Sequence, residues 1–189
     1  MSNRNLILLL ALFTLVGFPA IGYLIQYFFG DADLEKVLSG KINILLQITI
    51  GFPFGWITAE IAKWIIKRPF MKSIISKYGN IISVLGLKPW HAVYISVCAG
   101  VGEELLFRGA LQPMWGIYIT SLVFVALHGY LNPLDWRISL YGIYLTLVII
   151  CLGYMTEYFG IWMAAAAHTA IDIVLLLFLS KNNLINNQY

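Results

Sequence analysis

Six apolar stretches, at about 5–29, 42–66, 90–112, 115–130, 138–156 and 161–180, take up most of the sequence and are parted by short polar connections. A run of about 20 apolar residues matches the hydrocarbon thickness of a bilayer. Backbone N–H and C=O groups in that medium must be satisfied within the segment, so helices are the form such runs have to take. Sixty per cent of residues are hydrophobic and only eleven per cent charged, far from the soluble average of about a quarter charged. The expected fold is all-α, a polytopic membrane helix bundle of about six transmembrane helices plus an amphipathic interfacial segment. Short connections leave no room for a separate soluble unit, so residues 1–189 read as a single integral membrane domain.

Charge distribution sets the expected orientation. Net charge is +3, and basic residues flanking spans favour the cytoplasmic side. Lys63, Lys67, Arg68, Lys72, Lys77 and Lys88 fall in one connection, with no acid between Ile61 and Gly102. The loop 63–88 is therefore expected in the cytoplasm, with Asp31, Asp33 and Glu35 on the opposite side. Six crossings then place both termini inside, in agreement with Arg4 and Lys181. Phe70, Met71, Ile74, Ile75 and Tyr78 recur at near-helical spacing within the basic loop, as in a segment lying on an anionic leaflet. Nucleic-acid binding is not indicated. The first apolar run is longer than a signal-peptide core and lacks a small-residue cleavage site, so it reads as an uncleaved span. Cys98 and Cys151 lie within apolar runs, where they are expected as small buried hydrophobes.

Smaller features suggest how the helices meet. Gly51-Phe52-Pro53-Phe54-Gly55 has the spacing of a close helix contact with a kink. Ser96, Gly100 and Gly102 keep the third span slim. Glu60 and Lys63 read as a solvated ion pair near a span end. The third span is expected to end at a turn at Gln112-Pro113, and Glu157 and Gly160 mark a later turn.

The third span also carries an anomaly: Glu103, Glu104 and Arg108. A charge at the bilayer centre costs roughly 2.5–3.5 kcal/mol on insertion scales. Glu104 and Arg108 are four apart with the acid N-terminal, the favoured arrangement for an intrahelical pair. Glu103 points about 100° away, so Arg108 need not neutralise it. One carboxylate is expected to be structural and the other available. His128, after the turn, and His168, after the turn at Glu157 to Gly160, should reach a similar depth, with Asp172 one helical turn beyond His168. Each feature has a plain structural reading as a helix-helix hydrogen bond or ion pair. Two imidazoles and a spare carboxylate at matched depth fit water-dependent bond cleavage better, with one group taking a proton from water and others stabilising the oxyanion.

Glu103-Glu104-x-x-x-Arg108, Phe124-x-x-x-His128 and His168-x-x-x-Asp172, in this order on successive membrane helices, resemble the CPBP family. That family is the CAAX-protease and bacteriocin-processing group of Abi or Rce1-like intramembrane glutamic proteases. The resemblance covers about residues 84–180. It implies a catalytic set of Glu103, His128, His168 and Asp172, with Glu103 and His128 activating water and His168 with residue 172 forming the oxyanion site. Glu104 and Arg108 match the motif's second acid and its base. Many members have Asn where this chain has Asp172, and an ionised Asp cannot donate a hydrogen bond. Asp172 is then protonated, or orients His168, or impairs the reaction.

The function expected is cleavage of a membrane-associated peptide or protein within or near the bilayer, without a cofactor. Two alternatives stand beside it. Glu103, His128 and His168 could be zinc ligands, although the H-E-x-x-H spacing is absent. A bacteriocin-immunity or peptide-binding scaffold could use the same cavity without turnover. Transport is disfavoured, since the sequence shows no internal repeat or paired broken helices.

Overall fold

The computed structural model describes residues 2–72, 79–80, 82 and 85–186, with Leu34 and 181–186 as backbone only, and these residues form helices and no strand. In chain order they are α1 (Asn3–Phe29), α2 (Leu34–Ser39), α3 (Ile44–Ile66), a 3-10 turn (Pro69–Met71), α4 (Pro89–Leu106), a π-helical segment (Phe107–Leu111), α5 (Gln112–Leu127), α6 (Trp136–Tyr158) and α7 (Ile161–Asn186). Local chemistry sets several starts. Ser2, Asp33, Asn43 and Asp135 each accept a backbone N–H from the first turn of the helix that follows, satisfying donors that have no intrahelical partner. Pro89 opens α4, where a missing N–H costs nothing.

Among the described residues five helical runs are long and apolar enough to cross a membrane, and the chain is a multi-pass membrane protein. Leu9, Phe13 and Val16 on α1 and Ile143 and Leu147 on α6 point out of the bundle, as lipid-facing residues do. The third run, Pro89–Leu127, is folded back on itself. The rings of Phe107 and Phe124 stand 4.9 Å apart across its two arms, a contact impossible along a straight helix. The expected third and fourth spans are these arms, and the second, 117–127, is shorter than a full crossing.

The reversal lies at Gly116 rather than at Pro113. Gly116 has φ 75° and ψ 169°, a conformation that glycine alone adopts cheaply. Proline inside an α-helix removes a bond and clashes with the carbonyl four residues back. Here the preceding π segment shifts the pattern, and Gln112 N–H donates to Phe107 O, so the helix passes through Pro113 without turning. The carbonyl of Ala110 is taken by Nε2 of the buried Gln26 on α1 at 2.5 Å, which pins the widened turn to the first helix.

α7 is the hub, packing against α3, α4 and α6. Its Ala164, Ala167 and Ala170 are fully buried, and the small side chains let neighbouring backbones approach. The expected glycine contact occurs on α3, where a Cβ on Gly51 or Gly55 would overlap the carbonyl oxygens of Met163 and Ala167. Gly100 is likewise pressed against Thr169, and Gly102 against the backbone of Thr14 on α1. Such contacts hold membrane helices together by dispersion and packing rather than by the hydrophobic effect.

Other expectations divide. Glu60 and Lys63 form the expected ion pair at 2.7 Å. Residues 34–39, read as connection, make a short capped helix. Cys98 is buried, but Cys151 faces outward on α6, so the second thiol is not a buried hydrophobe. Of the interfacial stripe, Ile74, Ile75 and Tyr78 lie outside the described residues. Met71 is fully buried against Ala62, Ile66 and Tyr141, and Phe70 stacks on Trp136 at 5.8 Å. Met71 therefore serves the bundle, while Phe70 and Trp136 keep exposed faces.

Candidate active site

Glu103 and Glu104 sit in the last turn of α4, and their neighbours on the helix wheel send them to different surroundings. Oε2 of Glu104 lies 3.2 Å from Nε of Arg108, with both side chains fully buried. Nη2 of Arg108 also donates to Ile149 O on α6 at 3.4 Å, and the guanidinium lies 5.6 Å from the Phe124 ring. A charge inside a bundle is tolerated when an opposite charge matches it, although Oε2 of Glu104 and Nε and Nη1 of Arg108 make no hydrogen bond among the described residues.

The other oxygen of Glu104 has a partner that helical arithmetic along one helix cannot reveal. Its Oε1 accepts from Nδ1 of His168 on α7 at 2.9 Å. Glu104 thus serves two residues, and the expectation of a purely structural pair with Arg108 was incomplete. With Nδ1 committed to Glu104, Nε2 is the nitrogen that His168 presents to the cavity.

Glu103 points to that cavity. Its Oε2 lies 3.4 Å from Nε2 of His128 and 3.9 Å from Nε2 of His168. The same oxygen is buried and accepts no hydrogen bond, so its acceptor capacity is open to what enters the cavity. His128 closes α5, where Gly129 at φ 75° ends the helix. Gly129 N–H bonds Ala126 O and Tyr130 N–H bonds Val125 O, a Schellman pattern that fixes His128 as the last helical residue. Nδ1 of His128 lies 2.8 Å from Phe124 O. A carbonyl can only accept, so Nδ1 carries the proton and neutral His128 offers a bare Nε2 toward Glu103. Phe124 also stacks on the His128 ring, centroids 4.3 Å apart.

The shared depth has a simple origin. Glu103 is thirteen residues before Gly116 and His128 twelve after it, so two antiparallel arms bring them level at 1.5 Å per residue. Moving the turn from Pro113 to Gly116 makes the match closer. Asp172 completes the group, its Oδ2 3.6 Å from Nε2 of His168. All four groups line a cavity of about 120 Å³ closed by Phe124 and Tyr141. A second cavity of about 300 Å³, lined by Ile66, Ile95, Ile138 and Leu176, adjoins it through Tyr130, Tyr141, Asp172 and Leu175. Sequence reasoning missed both tyrosines, which lie outside the charged motifs.

For the zinc alternative, no group of three His, Cys, Asp or Glu among the described residues is arranged to hold a metal ion. Glu103, His128 and His168 do converge, with Nε2 of the two imidazoles 3.4 and 3.9 Å from Glu103 Oε2.

Comparison with known proteins bears on the resemblance. Residues 85–174 match the family described as type II CAAX prenyl endopeptidase, Rce1-like. That segment contains all three motifs, from Glu103 to Asp172. The uncharacterized protein YpbD of Bacillus subtilis (strain 168) is 37% identical over 86 residues, 44% of this chain and 43% of YpbD. The match therefore spans less than half the length of this curated relative. No solved structure matches the chain. Residues 85–174, a little under half of the chain, are thus similar to the Rce1-like family of membrane proteases.

Proposed function

We propose that the protein is an intramembrane endopeptidase of CAAX type that hydrolyses peptide bonds of membrane-associated peptides or proteins with water activated by Glu103 and His128. The observation that carries this reading is the Oε2 of Glu103, buried and accepting no hydrogen bond, facing imidazoles from two other helices at 3.4 and 3.9 Å. A water held between the Glu103 carboxylate and the bare Nε2 of His128 gives up a proton as its oxygen attacks the scissile carbonyl. The C–O bond forms, and the carbonyl electron pair moves to oxygen. His168, oriented by Glu104, stands opposite with Nε2 toward the developing oxyanion, which it stabilises when that nitrogen is protonated. Collapse of the tetrahedral species breaks the C–N bond, and the proton taken from water passes to the leaving amine.

The adjoining apolar cavity supports a substrate that brings an apolar stretch beside its scissile bond. The alternation of spans and the basic loop 63–88 support a cytoplasmic position for that loop and for both termini. The chemistry needs no cofactor, since a carboxylate and an imidazole suffice to activate water. Comparative peptidomics of membranes from cells making the wild-type chain or Glu103→Ala tests the proposal. Peptides that accumulate uncut only in the variant are expected; identical profiles would leave a peptide-binding scaffold as the better reading.

A further inference from the structure

Asp172 raises a chemical question that its neighbour Tyr141 answers. A tetrahedral oxyanion is best held by two donors, and an ionised carboxylate at position 172 supplies none. Tyr141, on α6, lines the same 120 Å³ cavity as Glu103, His128, His168 and Asp172, and also lines the adjoining apolar one. It is only 8% exposed. Its ring is held edge-on by Tyr130 at 5.5 Å and stacked with Tyr144 at 6.4 Å, so the ring is fixed at the junction of the two cavities. Among the described residues its hydroxyl makes no hydrogen bond, whereas Tyr144 on the next turn donates to Thr58 O at 2.6 Å. A buried phenol ordinarily finds a partner. The partner of Tyr141 is therefore to be sought in what enters the cavity.

Resting on the proposed function, we infer that Tyr141 is a catalytic residue whose phenol O–H donates to the substrate carbonyl oxygen, supplying with His168 the second oxyanion contact that Asp172 cannot give. No proton leaves Tyr141 in this step. Water adds to the carbonyl carbon, its one proton goes to the Glu103 carboxylate while His128 holds the water in place, the carbonyl electron pair moves to oxygen, and the phenol hydrogen bond shortens onto that charge. Asp172 is left to the His168 side of the cavity, 3.6 Å from Nε2.

Four variants test the inference: Tyr141→Phe, Asp172→Asn, the double variant and Glu103→Gln. The readout is the set of membrane peptides whose cleavage depends on Glu103, found by peptidomics, followed by rates on one such peptide with each purified variant in detergent. Removing one oxyanion donor lowers kcat by roughly 10²–10³-fold, and Tyr141→Phe is expected to do so with little change in KM and an unchanged melting temperature, because the ring and its stacking remain. Asp172→Asn alone should raise turnover, because its amide adds a donor beside the phenol. In the Tyr141→Phe background it should restore at least tenfold, because the amide then donates in the phenol's stead. A fully active Tyr141→Phe beside an inactive Glu103→Gln would overturn the role of Tyr141 and leave the proposed function standing. A loss in Tyr141→Phe that Asp172→Asn does not relieve would assign the tyrosine to packing. A peptide profile indifferent to Glu103→Gln would overturn the proposed function itself, and the inference with it.

Discussion

His168 Nδ1 and Glu104 Oε1 meet across 2.9 Å at full burial, tying α7 to α4. The bond makes Glu104 the link between a structural ion pair and the proposed reaction centre, since its second oxygen faces Arg108 at 3.2 Å. The two partners of the pair are for this reason unequal. Glu104→Ala strands the Arg108 guanidinium with only Ile149 O and releases His168, and breaking a buried pair costs about 3–5 kcal/mol. Arg108→Ala leaves Glu104 still bonded to His168 and should cost less. Thermal unfolding in detergent is expected to rank wild type above Arg108→Ala above Glu104→Ala. Equal stability of all three would contradict the shared-carboxylate arrangement.

Close packing of α3 on α7 should matter as much as the charges. Gly55 meets the carbonyl of Ala167, the residue before His168. Gly55→Val must push the two backbones apart, an overpacking cost of typically 1–3 kcal/mol, and should displace His168 as well. A lower melting temperature together with reduced cleavage is expected. Leu147→Val, on the outward face of α6, serves as the control and should change neither.

The readable part of this molecule was what repeats or lies close along the chain. Apolar runs and their lengths announced a helical membrane bundle, i to i+4 spacing announced the Glu104 and Arg108 pair, and counting residues from a turn put Glu103 level with His128. What escaped depends on contacts between helices. Nothing in the local spacing says that Glu104 reaches His168 sixty-four residues on, or that Tyr141 faces the same cavity. The turn was misplaced because Pro113 is a strong breaker in isolation, while the π segment and the bond from Gln26 that absorb it arise from packing. Gly116 looked ordinary among sixteen glycines, and what distinguishes it is a non-helical φ and ψ within an otherwise helical run.

Orientation follows from the basic loop. A single cysteine replacing Ser76, in a background with Cys98 and Cys151 changed to Ala, is expected to resist an impermeant maleimide in intact cells and to react after permeabilisation. One at Asp31 should show the reverse. Labelling of position 76 from outside would invert the topology.

Chelation tests the cofactor expectation. Cleavage by the purified protein should persist after prolonged dialysis against a strong chelator, since Glu103 and His128 hold the water by themselves. Loss of activity that stoichiometric zinc restores would make Glu103, His128 and His168 ligands instead.

Glu103→Gln probes the central claim most directly. The amide is nearly isosteric and keeps the α4 contacts, but it cannot take a proton from water. Single-turnover cleavage of a Glu103-dependent membrane peptide, measured beside the melting temperature of the same preparation, should fall by at least 10²-fold, the usual contribution of a general base, with unfolding unchanged. A Glu103→Gln protein that is folded and cleaves at the wild-type rate would contradict the account.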